Sequence, residues 1–89
     1  MKLIQLNQHN LTSISPRLTC PKYERKNVKS GIVHIGVGGF HRSHQAYYIN
    51  QLLGDIRNVN WGICGIGLRH GDRKVSNVLK VQGCLYTLI

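Results

Sequence analysis

The apolar residues of this chain recur with two different periods. From Gly31 the run "GIVHIGVG" is short, β-branched and closed by glycine, which predicts a buried strand. The following stretch, "HRSHQAYYINQLL", moves to helical spacing. Ala46, Ile49 and Leu53, with Leu52 beside them, fall on one helix face, and Gly54 supplies a stop. A polar loop, "GDIRNVN", leads to a second strand in "WGICGIGL". In "HGDRKVSNVLKVQG", Asp72 stands where an N-cap belongs, Val75, Val78 and Leu79 form an apolar stripe, and Gly83 ends the helix. The closing "CLYTLI" has the texture of a third strand, cut at Ile89.

Residues 1–30 show no comparable period. Pro16 and Pro21 favour extended or turn backbone, so this segment reads as an N-terminal arm with one short helical turn near its start. The order from Gly31 is strand, helix, strand, helix, strand start. That alternation predicts an α/β fold with a parallel sheet and right-handed crossovers. The expected organisation is thus an arm over 1–30 and the first βαβα part of a larger domain over 31–89, truncated at its C-terminal end.

Bulk properties narrow the function classes. Eighty-nine residues make one small domain at most, and 42% hydrophobic with 17% charged residues is a soluble globular composition. No apolar run approaches the roughly 18 residues of a membrane span. "MKLIQLNQHN" has no apolar core or cleavage site of a secretory signal, so a cytoplasmic protein with no membrane partner is expected. Cys20, Cys64 and Cys84 are odd in number and far apart, which fits reduced thiols in or near a core better than disulfides or zinc.

The net charge of +9 raises the question of an anionic partner. The basic residues are dispersed, however, and the densest stretch, "PKYERKNVK", has Glu24 among its cations. No zinc-finger spacing, RNA-recognition consensus or basic zipper accompanies it, which argues against nucleic acid. Part of the imbalance also fits an incomplete chain.

The chemistry concentrates where the first strand meets the first helix. Gly36 permits a tight turn, Gly38 lets a backbone approach a pyrophosphate, and the amides of Phe40, His41 and Arg42 lie at the positive end of the helix dipole. This is the context of a dinucleotide fingerprint, although His41 occupies the third glycine position of G-x-G-x-x-G. A P-loop fails, because Val37 and Gly38 stand where Lys and Ser or Thr are required. His34, His41 and His44 raise a metal reading, but no nearby carboxylate or cysteine joins them, and no metal is expected. Tyr47 and Tyr48 read as packing residues. For the adenosine ribose, Asp55 has the better residue count. Asp72 has the better topology, just beyond the second strand, and is preferred; an N-cap role can coexist with it. Arg69 and Arg73 flank Asp72 and leave room for a 2′-phosphate, so NADP stays open beside NAD.

Taken in order, "GIVHIGVGGFHRSHQAYY", "WGICGIGL", "DR" and "LYTL" closely resemble the N-terminal region of the polyol-specific long-chain dehydrogenases. That family includes mannitol 2-dehydrogenase and the fructuronate and tagaturonate reductases. The likeness runs from about Tyr23 to Ile89, and the Gly-x-Gly-Gly-Phe-His-Arg stretch is specific to the group. It implies a partial Rossmann-type domain and NAD-dependent, reversible oxidation of a polyol to a ketose, as in D-mannitol to D-fructose. By position it implies that Gly36, Gly38, Gly39, Phe40, His41 and Arg42 line the pyrophosphate. Ile35 and Val37 count among the contacts, and Asp72 faces the ribose. Some relatives carry a second acid where this chain has Gly71, which loosens the preference for NAD. The family's catalytic lysine, asparagine and histidine belong to a helical C-terminal domain with no counterpart here. No catalytic residue is therefore assigned, and a polyol or ketose would be a partner only together with that domain. The competing reading is a small basic protein that binds an anion or nucleic acid through the same turn without redox chemistry.

Overall fold

The structure is a computed structural model that describes residues 3–14 and 16–88. Its elements in chain order are a 3-10 turn at Gln8–Asn10, α1 (Leu11–Ile14), a 3-10 turn at Arg25–Asn27 and β1 (Ser30–Ile35). Then come α2 (Gly39–Ser43), α3 (Gln45–Leu52), a 3-10 turn at Ile56–Trp61, β2 (Gly62–Ile66) and α4 (Asp72–Val81). Two compact units result: Pro21–Asp72, and Met1–Cys20 with Arg73–Ile89.

In Pro21–Asp72, β1 and β2 pair in parallel, with Val33 beside Cys64, His34 beside Gly65 and Ile35 beside Ile66. The intervening helices make this a βαβ unit, and the fold is the α/β, partial Rossmann type with a parallel sheet. Lys29 opens the pairing twice over: its N–H donates to the Val59 carbonyl and its carbonyl accepts from Gly62 N, both at 2.8 Å. The Tyr23 hydroxyl donates to Asn50 Oδ1 at 2.5 Å, fastening the segment before β1 to α3, and burial pushes its pKa up.

The helix expected from His41 onwards begins earlier, at Gly39, and is broken in two at His44, whose φ of −121° and ψ of −91° leave the helical region. The Ser43 hydroxyl donates to the Gly39 carbonyl at 2.9 Å, and such back-bonding bends helices. Beyond the break Ala46 and Ile49 are half-buried and Leu53 is buried, as expected, whereas Leu52, placed on the same face, is 53% exposed. β2 starts one residue after Trp61, which is drawn into the preceding 3-10 turn.

Strand alternation divides β1 sharply. Ile32 and His34 are half-buried, whereas Val33 is 67% and Ile35 61% exposed. Cys64 and Ile66, their neighbours across the ladder, are exposed with them. The expectation that Cys64 is buried fails for that reason: it lies on the uncovered face. All three cysteines are free, and Cys84 is exposed as well.

In the other unit, Asn7 Oδ1 accepts from Asn10 N at 2.9 Å and starts the 3-10 turn that runs into α1, where Leu11 is buried. α4 half-buries Val75 and Leu79, while Val78, the third residue of the expected stripe, is 49% exposed. Gly83 ends this helix as expected. With φ of 60° it lets Cys84 N reach the Leu79 carbonyl at 2.7 Å while its own N–H reaches that of Lys80 at 3.2 Å, a Schellman stop. Of the expected third strand, residues 84–88 join no ladder and Ile89 lies outside the described residues; among these the sheet has two strands.

Parallel sheets are stable when both faces are covered. The 89-residue chain by itself is therefore expected to unfold broadly, with a midpoint below about 50 °C, the lower part of the range for mesophilic domains. Circular dichroism on heating tests this, and one sharp reversible transition above that temperature would refute it.

Candidate functional site

The sheet and α2 meet in a turn built almost wholly of backbone. Ile35 is the last residue of β1, and Gly36 follows with φ of +93°, a conformation L side chains rarely adopt. Gly36 N–H donates to the Ile66 carbonyl at 2.8 Å, tying the turn to the end of β2, and its own carbonyl accepts from Gly38 N at 2.9 Å. Between them, Val37 is half-buried against Gly65, where a Cβ would collide with its Cγ2. Gly38 is extended and precedes α2 without a side-chain cap.

The first main-chain bond of α2 runs from Arg42 N to the Gly38 carbonyl at 3.0 Å, and the Arg42 Nε donates to the same oxygen at 3.3 Å. Gly39, Phe40 and His41 precede it, so their amides have no acceptor within the helix. A Cβ at Gly36, Gly38 or Gly39 would meet nothing within 4 Å. The arrangement is an open approach to a row of amides, which suits an anion held by main chain at the positive end of a helix.

The side chains around the turn face elsewhere. His41 is only 6% exposed, and its ring stacks on His34 of β1 with centroids 3.7 Å apart and planes at 13°. Burial lowers its pKa, as does His34, and the nearby Gln45 side chain acts in the opposite direction. What His41 offers an anion is its N–H. Phe40 is 78% exposed and stacks on His44, which meets Tyr48 edge-on. Among the described residues no three His, Cys, Asp or Glu side chains gather in a way that could hold a metal.

Asp72 lies beyond the carboxyl end of β2, as topology requires, but it does not cap α4 forwards. Its Oδ2 reaches back to accept from Leu68 N at 3.0 Å and Arg69 N at 2.9 Å, shaping the loop that leaves β2. Gly67 makes room for this, since a Cβ there would sit 2.5 Å from that of Asp72. Asp55, the acid favoured by counting, accepts from Arg57 N at 2.9 Å and pairs with the Arg57 guanidinium at 2.6 Å, which holds its carboxyl below the usual range. Sequence reasoning passed over His34 and Gln45 as partners of His41. The available signal was alternation, which puts His34 on the covered face with Ile32.

A model of the mannitol dehydrogenase Rossmann domain matches residues 30–89. The chain belongs to that family. It is 45% identical over 84 residues to mannitol dehydrogenase 2 of Saccharomyces cerevisiae, covering 94% of this chain and 17% of that protein. With the mannitol 2-dehydrogenase of Pyrenophora tritici-repentis the identity is 44% over 86 residues, covering 97% and 15%. The Pseudomonas fluorescens mannitol 2-dehydrogenase, solved as a ternary complex with NAD and D-mannitol, superposes with a TM-score of 0.89 at 46% identity, over 93% of this chain and 17% of that one. A substrate-free D-sorbitol dehydrogenase gives 0.74 at 33% identity, over 89% and 16%. The chain thus spans about a sixth of the length of these relatives.

Two substitutions in the turn separate conformation from space. Gly36→Val forces a β-branched residue to positive φ and is expected to cost about 1–2 kcal/mol. Gly38→Ala, extended and facing open space, is expected to stay within about 0.5 kcal/mol of the parent. Urea denaturation of both proteins decides; equal losses would show that the turn is not held in this conformation.

Proposed function

We propose that the turn from Ile35 to Arg42 binds the pyrophosphate of NAD, and that the protein works in the reversible oxidation of a polyol to a ketose, D-mannitol to D-fructose in the first instance. The observation that carries this reading is the open approach over Gly36, Gly38 and Gly39 to the acceptorless amides of Gly39, Phe40 and His41. It lies at the carboxyl ends of both strands, where open α/β sheets bind ligands. Ile35 and Val37 set the walls of the turn, and Arg42 braces it through the Gly38 carbonyl.

Asp72 completes the proposed cofactor set. Its Oδ2 is taken by two loop amides, which leaves Oδ1 for an adenosine ribose hydroxyl. Arg69 and Arg73 flank it in sequence and suit a 2′-phosphate, so NADP belongs in the same tests. Bound NAD supplies the hydride acceptor, and the residues here bind and orient it. Removing the hydroxyl proton of a polyol needs a positioned base. None of these residues matches the family's catalytic lysine, so the chemistry falls to a further domain of the kind the relatives carry. Within this proposal, residues 1–30 are an arm and 31–89 the first βαβα part of the domain. Among the described residues no helix is long and apolar enough to cross a membrane, and the cytoplasm is the proposed compartment.

Calorimetric titration with NAD, NADP and single-stranded DNA at two salt concentrations tests the reading. Saturable dinucleotide binding is expected. Salt-sensitive DNA binding with no dinucleotide heat would instead establish the competing basic-protein reading, since phosphate contacts weaken steeply with salt. With D-mannitol and NAD, residues 1–89 alone are expected to yield no NADH by absorbance. NADH formation that Gly38→Trp abolishes would overturn the assignment of chemistry elsewhere.

A further inference from the structure

His34 and His41 bracket the glycine turn: one is the residue before Ile35 on β1, the other lies in the first turn of α2. Their rings stack face to face with centroids 3.7 Å apart, so the two ends of the loop are clasped by one side-chain contact. We infer that the His34–His41 stack is a positioning device for the turn, and that protonation of His41 opens it and weakens dinucleotide binding. The inference rests on the proposed cofactor site for its binding consequence, and on the stack alone for its structural one.

The surroundings of the clasp favour the neutral state. His41 is buried, and its Nδ1 has no hydrogen-bond partner; neither has the buried Oε1 of Gln45 on α3. The titratable group facing His41 is His34 from β1, a like charge whenever both are protonated, and Gln45 is the polar neighbour from α3. Arg42 adds a further cation beside it in sequence. The acids with resolved partners are engaged elsewhere, Asp55 with Arg57 and Asp72 with the Leu68 and Arg69 amides. A proton on His41 would therefore be a buried charge stacked on a second imidazole, a cost that moving the side chain towards water relieves. Moving it shifts the head of α2, where the amides offered to the pyrophosphate lie.

The sign of the pH dependence follows. His41 titrates lower in the folded chain than its ordinary value of 6.5, so the unfolded chain binds more protons just below that pH. Stability is complete above about 6.5 and falls as the pH drops from there towards the folded-state value.

The test uses the 89-residue chain and His41→Phe, which keeps an aromatic face for His34 but cannot be protonated. Calorimetric affinity for NAD is expected to fall by more than about threefold from pH 8.0 to 5.5 in the parent, as protons compete with the stacked state that binds. In His41→Phe it should change by less than about threefold. Independently of any ligand, the imidazole signals of His41 in NMR are expected to titrate with a midpoint below 6.5, with the turn amides shifting in step. A midpoint at or above 6.5, or a Phe variant that keeps the full acid loss, would overturn the proposal. If NAD binds at no pH, the cofactor reading fails, and the NMR titration still decides whether the clasp opens.

Discussion

The turn depends on one constraint: the chain leaving β1 must reverse direction without a side chain in the way. Gly36 meets it with φ of +93° and an N–H pinned to the Ile66 carbonyl. That single bond joins the ends of both strands and fixes where α2 begins. The open approach over the three glycines, the row of acceptorless amides and the position of the His34–His41 stack all depend on it. A residue with a Cβ at position 36 would have to leave this conformation, and the geometry that makes the turn a phosphate cradle would go with it.

The covering of the sheet is one-sided. Ile32 and His34 are covered and Leu53 is buried, while Val33, Ile35, Cys64 and Ile66 lie exposed across the ladder. Ordering backbone costs about 1–2 kcal/mol per residue, and a sheet covered on one side has little apolar burial to set against that. Site and stability therefore have different origins. The turn is nearly all main chain and is held by a few hydrogen bonds, the one from Gly36 to Ile66 among them. The apolar face opposite is the kind of surface that parallel sheets normally bury.

Much of this was legible in the sequence because it is local. The β-branched run to Ile35, the glycines of the turn and the Gly83 stop each carry their own backbone preference. The Gly-x-Gly-Gly-Phe-His-Arg stretch was specific enough to give the family. What was missed depends on particular side-chain contacts and on strand pairing. The break at His44 goes with a Ser43 hydroxyl turned onto the Gly39 carbonyl, which no periodicity reports. "CLYTLI" has strand texture, but a strand needs a ladder, and among the described residues 84–88 join none. Cys64 reads as buried from its apolar neighbours, yet the register sets it beside exposed Val33. Asp72 was placed correctly at the end of β2, while its grip on the Leu68 and Arg69 amides came from loop geometry and from Gly67 making room.

The central claim is that main-chain amides of this turn hold a pyrophosphate, and amide NMR of the 15N-labelled chain during an NAD titration tests it most directly. The account predicts that the largest shifts fall on the amides from Gly36 to Arg42, with smaller ones at Leu68 and Arg69 beside Asp72. Saturating shifts confined to other segments, or none across the turn, would contradict it.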